Sequence, residues 1–127
     1  GPRVGGDYDF IAKIEGSLLY MEVKSSPPKQ IYQNEITAFL DRVFDLGAEP
    51  SIFFMDTELR MKDKIVPMFE EELRRKSTSA LEIKRMEKEL FQLSGKMFII
   101  NSKGGITANI EKALVWYFRR KDGGPFG

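Results

Sequence analysis

Two runs rich in β-forming residues open the hydrophobic pattern of the chain. Residues 8 to 14 (Tyr-Asp-Phe-Ile-Ala-Lys-Ile) are bounded by Gly5-Gly6 and Gly16, and residues 18 to 24 (Leu-Leu-Tyr-Met-Glu-Val-Lys) end at Ser25-Ser26-Pro27-Pro28. The link Glu15-Gly16-Ser17 is short enough to predict an antiparallel hairpin. Pro27-Pro28 stops strand pairing, and Pro28 suits the first turn of a helix. Ile36, Phe39, Leu40, Val43 and Phe44 then follow the spacing of an amphipathic helix that Gly47 ends. Ser51 to Met55 reads as a short strand that is apolar on both faces, the mark of a strand covered on each side. Met61, Ile65, Met68, Phe69 and Leu73 return to helical spacing, and Pro67 inside that run predicts a kink or two short helices.

Residues 77 to 95 read less cleanly. Ile83, Met86, Leu90 and Phe91 favour a helix, while Leu81/Ile83 and Phe91/Leu93 also fit short strands; helix is the reading adopted. Lys96 to Ile100 predicts a strand closed by Asn101 to Gly105. Ile110, Ala113, Leu114 and Tyr117 predict a last helix running to about Arg120, with Gly123-Gly124 beyond it. The order is β-β-α-β-α, then the ambiguous segment, then β-α. A hairpin followed by strands alternating with helices implies an α/β fold with a mixed central sheet and helices packed on its faces.

Composition narrows the chemistry. At 127 residues the chain is long enough for one core and not two. The opening Gly1-Pro2 reads as the scar of a cleaved tag, leaving residues 3–127 as one domain. No basic-then-apolar leader opens the chain and no apolar run approaches a membrane span, so a cytoplasmic, intracellular location is expected. The chain has neither cysteine nor histidine. Thiolate and imidazole metal sites and Ser-His or Cys-His nucleophile pairs are therefore excluded, and any catalysis must use carboxylates, lysine, hydroxyls or backbone atoms. The net charge of +1 argues neither for nor against nucleic acid. Basic residues do cluster at Arg74-Arg75-Lys76, Lys84-Arg85 and Arg119-Arg120-Lys121, most simply as solvated helix ends.

Alternation along strands puts Glu22 and Lys24 on one face with Leu18 and Tyr20, and Asp7 and Asp9 on one face with Ile11. A hairpin pairing about Gly16 sets Asp9 opposite roughly position 23, close to Glu22 and Lys24 across the ladder. Three charged groups then converge at the end of two otherwise apolar strands, far from the hairpin tip. The plain alternative is a salt-bridged patch at a sheet edge.

Gly6-Asp7-Tyr8-Asp9-Phe10-Ile11-Ala12, followed by Leu18-Leu19-Tyr20-Met21-Glu22-Val23-Lys24-Ser25, resembles the motif of the PD-(D/E)XK nuclease superfamily, closest to archaeal Holliday-junction resolvases and small bacterial resolvase-like proteins. The likeness covers about 20 residues. It implies a restriction-endonuclease-like core and metal-dependent endonuclease action on DNA, with RNA the less favoured substrate. Asp9 and Glu22 would be the carboxylate ligands of Mg²⁺ or Mn²⁺, with the Val23 carbonyl a further oxygen; hard cations of this kind prefer such ligands. Lys24 would orient or activate the attacking water and offset developing charge. Gln33 stands where some relatives carry a site glutamine. Tyr8, not proline, precedes the aspartate. Asp7 competes with Asp9 as ligand; Asp9 is preferred because Phe10-Ile11-Ala12 follows it as the apolar triplet does in relatives. The helix and strand that open the family's core are missing, so either the domain extends beyond this sequence or another chain or segment completes it.

Weaker features have plainer readings. Tyr20 faces the proposed site and is an accessory candidate, although a half-buried strand tyrosine needs no such role. Asp56 and Glu58 follow a strand end but suit helix capping. Trp116, Tyr117 and Phe118 beside Arg119-Arg120 are better read as aromatics docking into the core than as a base-stacking platform. Three functions stay open: a metal-dependent DNA endonuclease, a nuclease-fold domain that binds nucleic acid or a protein without cutting, and an α/β interaction module. A homodimer or further domains of a larger protein are the assemblies considered.

Overall fold

Glu15 and Gly16 take positive φ, 49° and 81°, as a two-residue hairpin turn requires if it is to match the twist of its strands. The turn joins β1 (Tyr8–Ile14) to β2 (Ser17–Lys24), whose antiparallel register runs from Ile14↔Ser17 to Tyr8↔Val23. The structure, a computed structural model, describes residues 7–76 and 81–121. Gly1-Pro2, Gly5-Gly6 and Gly123-Gly124 lie outside them.

Pro28 opens a single 3₁₀ turn over Pro28–Gln30, and α1 (Gln33–Leu46) follows. Its stripe of Ile36, Phe39, Leu40 and Val43 is buried. Gly47 ends it at φ 61°, where a side chain would be strained. The helix carries the chain across the sheet, so β3 (Ser51–Met55) lies parallel to β2, and all five of its residues are buried.

The expected kink at Pro67 is absent. Residues Lys62 to Lys64 form turns, and α2 (Ile65–Lys76) begins only at Ile65. Pro67 therefore sits in the first helical turn, where its missing N–H leaves no hydrogen bond unmade.

The helix expected within residues 77–95 is also overturned. The described part forms a hairpin of β4 (Ile83–Glu87) and β5 (Leu90–Leu93), with an irregularity between Arg85 and Glu87; residues 77–80 lie outside the description. The error has a physical source. Ile83 and Phe91 pack on one face of the sheet, Met86 and Leu90 on the other. Their mixed spacing imitates a helical stripe because both faces of this hairpin carry apolar contacts.

The chain closes with β6 (Met97–Asn101), parallel to β3, and α3 (Ile106–Lys121). The six strands lie in the order β1-β2-β3-β6-β5-β4, a mixed sheet. One face, with Tyr20, Phe53, Met55 and Ile99, packs under α1 and α2; the other, with Leu19, Met21, Ile52, Phe54, Phe98 and Ile100, packs against Ala113 and Tyr117 of α3. The fold is thus α/β, with the sheet between two helical layers. No helix among the described residues is long and apolar enough to cross a membrane.

Candidate active site

The hairpin register puts Asp9 directly opposite Glu22, so both side chains leave the same face of the ladder. Lys24, two residues on, shares that face. All three lie towards the carboxyl end of β2, on the side that α1 covers.

Glu22 is only 2% exposed, and a buried carboxylate persists only with partners. Its Oε1 accepts hydrogen bonds from the Tyr20 hydroxyl at 2.6 Å and from Arg42 Nη1 at 2.6 Å. Tyr20 is itself buried, at 1% exposure. Burial first, and then its bond to Glu22, pushes the Tyr20 phenol well above the usual tyrosine range. The hydrogen bond to Tyr20 and then the charge of Glu22 raise the Arg42 guanidinium above its ordinary value. The other oxygen, Oε2, lies 3.2 Å from Lys24 Nζ. Oε2 is buried, and the Lys24 ammonium is the charge that faces it.

Lys24 stands among three acids: Glu22 at 3.2 Å, Glu35 Oε1 at 3.4 Å and Asp7 Oδ2 at 3.8 Å. Burial alone would pull its pKa down, but Glu22, followed by Glu35 and Asp7, outweighs that and holds the ammonium above the ordinary lysine value. The acids are themselves fixed. Glu35 Oε2 accepts the Tyr32 N–H at the start of α1 at 2.9 Å, and Asp7 Oδ1 accepts the Ser25 N–H at 2.8 Å. The Ser25 hydroxyl oxygen, beside them in sequence, is buried with no partner.

The residues of the proposed site can now be placed. Asp9 faces Glu22 across the ladder, whereas Asp7 contacts Lys24 and the turn after β2. The Val23 side chain enters the core under α3, and its backbone pairs with Tyr8. Tyr20 is fully buried, not half-buried, and its hydroxyl is spent on Glu22, so it positions the carboxylate. Gln33 faces away from Lys24: its amide donates to Met68 O at 3.1 Å and Glu72 Oε2 at 3.3 Å on α2. Glu35 and Arg42 were not singled out. Seven residues apart, they lie on one flank of the apolar stripe of α1, and nothing local in the sequence marks that flank as the one that meets Glu22 and Lys24. Tyr117 is buried against α3's face of the sheet and Trp116 packs edge-on to Phe98 at 5.9 Å, as core docking requires.

Carboxylates are the ligand type that a hard divalent cation prefers. Mg²⁺ is typically held by one or two carboxylates with water and substrate oxygens completing its shell. Asp9 and Glu22 supply two carboxylates on one face, but Arg42 already holds Glu22 Oε1 and Lys24 Nζ lies 3.2 Å from Oε2, so a cation would have to share both oxygens with them. Among the described residues no three acidic groups are assembled as an all-protein cage.

Gln33 and Thr37 also bear on stability. Thr37 Oγ1 donates to Glu72 Oε2 at 2.8 Å, and this bond, against the opposing effect of burial and with help from Gln33 and Arg75, lowers the Glu72 pKa. A depressed folded-state pKa stabilises above the unfolded value, about 4.3, and the gain disappears as pH falls through the folded value. Urea unfolding should therefore separate wild type from Glu72→Gln most widely near neutrality, and the gap should close below about pH 4. A gap that widens on acidification would contradict this. Compared with family models, curated proteins and solved structures, the chain shows no match.

Proposed function

We propose that this chain hydrolyses phosphodiester bonds in DNA on a restriction-endonuclease-like core, with Asp9 and Glu22 holding Mg²⁺ or Mn²⁺ and Lys24 beside them. The observation that carries the reading is the direct opposition of Asp9 and Glu22 on the face that also bears Lys24, whose ammonium lies 3.2 Å from a Glu22 oxygen. The cation, when bound, lowers the pKa of a water and offsets charge on the scissile phosphate. The chain's own residues do the rest. Tyr20 and Arg42 fix the Glu22 carboxylate. Glu35 and Asp7 keep Lys24 aimed along the same face. Like any unperturbed lysine, Lys24 is a cation at neutral pH, and the acids around it hold it there, so it orients the water and draws in the phosphate; a general base would need a lowered value.

A second reading, a domain that binds nucleic acid or a protein without cutting, draws on a specific contact. Arg42 holds Glu22 Oε1 at 2.6 Å and competes with a cation for that carboxylate. Calorimetric titration of Mn²⁺ into wild type and Glu22→Gln distinguishes the readings. The nuclease reading expects wild-type binding that falls at least about tenfold in the variant. Equal binding in both removes the metal site. Loss of binding in the variant together with no cleavage of duplex, branched or single-stranded DNA selects the second reading.

A further inference from the structure

β1 is an edge strand: among the described residues it pairs only with β2. It carries exposed apolar side chains on both faces of the sheet, Tyr8 (59%) and Phe10 (46%) on one and Ile11 (54%) on the other. Such an edge invites strand addition unless charge, proline or a bulge blocks it. Here the ladder to β2 is regular through all seven residues, and the two charges it carries, Asp9 and Lys13, are of opposite sign.

We propose that this edge pairs antiparallel with the same edge of a second copy, centred on Ile11, joining the two sheets into one. The register follows from symmetry. A twofold axis through the sheet keeps each side chain on its own face, so opposed residues must be an even number of positions apart. Centring on Ile11 sets Asp9 against Lys13 of the second copy and Lys13 against its Asp9. It also opposes Phe10 with Ala12, Tyr8 with Ile14, and Ile11 with itself. Centring on Phe10 or Ala12 instead leaves Asp9 or Lys13 facing Ile11. Only the Ile11 register pairs all seven residues and both charges.

Backbone geometry agrees. A two-residue turn closes on a hydrogen-bonded pair, here Ile14↔Ser17. Pairs alternate along an antiparallel ladder. Tyr8, Phe10, Ala12 and Ile14 therefore use their amides towards β2, while Asp9, Ile11 and Lys13 present theirs outward. Those three are the residues that the Ile11 register would hydrogen-bond across the axis. At the ends, Asp7 would approach Glu15 of the second copy, but Asp7 is drawn towards β2 by Ser25 and Lys24, and Glu15 leaves the ladder at positive φ. The pairing does not depend on the nuclease reading. It would, however, place a second copy's Lys13 beside Asp9.

Sedimentation equilibrium on the whole chain tests it without metal or DNA. Wild type is expected at twice 14.6 kDa at high concentration, Lys13→Asp and Asp9→Lys as monomers, and the Asp9→Lys/Lys13→Asp double variant again as a dimer. A wild type that stays monomeric up to its solubility limit, as it would if a segment of a longer protein covers the edge, overturns the proposal. Dimers that survive both single changes also overturn it. The chain has no cysteine, which permits a check on register. Ile11→Cys brings its two Cα atoms to about 5.5 Å, within disulfide range, and should crosslink on mild oxidation. Lys13→Cys lies roughly 14 Å from its own copy and should not. Equal crosslinking at the two positions rejects the register.

Discussion

Glu22→Gln should reduce Mg²⁺-dependent DNA cleavage by at least about 100-fold while leaving the protein folded. Glutamine has the same shape, and its carbonyl oxygen can still accept from Tyr20 and Arg42, so the buried position keeps its hydrogen bonds. What disappears is the negative charge that a cation requires and that Lys24 and Arg42 now neutralise. Lys24→Met should cause a loss of about the same order, because among the described residues no other ammonium stands on that face with three acids around it. Since those acids raise the Lys24 pKa, wild-type activity should not decline through loss of this proton until the pH exceeds the ordinary lysine value of about 10.4. Cleavage rates for the three proteins, with circular dichroism to verify folding, decide the matter. Retention of cleavage in either variant would end the nuclease reading.

Phe39→Ala should cost about 3–5 kcal/mol of stability, a large share of the roughly 5–15 kcal/mol that holds a typical domain together. Phe39 is fully buried and joins three other aromatic rings: Tyr20 stacked at 5.7 Å, and Phe53 and Phe69 edge-on at 5.2 and 5.8 Å. Those neighbours belong to β2, β3 and α2, so the cavity opens where four elements meet. Tyr20 is also the donor to Glu22. Loss of its stacking partner should loosen that hydrogen bond, so a variant that still folds should bind Mn²⁺ more weakly than wild type. Denaturant unfolding measures the first effect and calorimetry the second. A cost below about 1 kcal/mol would show that the site collapses around the missing ring.

The hairpin was legible because local rules settle it, and the register nearly so: the sequence set Asp9 opposite about position 23, one residue from its partner Glu22. A short turn fixes register, and period two then fixes which side chains share a face. The strand at Ser51–Met55 was legible for a related reason, since a short wholly apolar run between turns has few other places in such a fold. Where two faces are buried at once, the same rules lose force. Ile83, Met86, Leu90 and Phe91 serve both sides of a hairpin and so imitate a helix. Pro67 misled because its effect depends on where α2 begins, which the apolar spacing from Met61 onward obscures. Arg42 and Glu35 reach the site from α1 through tertiary packing, and no local pattern announces which flank of a helix will face a carboxylate. Gln33 sits at the start of the same helix yet turns to α2, a difference set by the direction of one side chain.

The parallel pairing of β3 with β6 has a consequence for synthesis. Ser51 meets Met97 and Met55 meets Asn101, so the strand at the centre of the sheet waits for its second neighbour until about forty further residues and then β6 itself have left the ribosome. Until then Ile52, Phe53 and Phe54 have one side open to other nascent chains, and the long closure makes docking of the final strand the slow event. A chain stopped after α2 would keep both acids and the lysine and still fail to fold, because their platform is completed by residues that carry none of the chemistry.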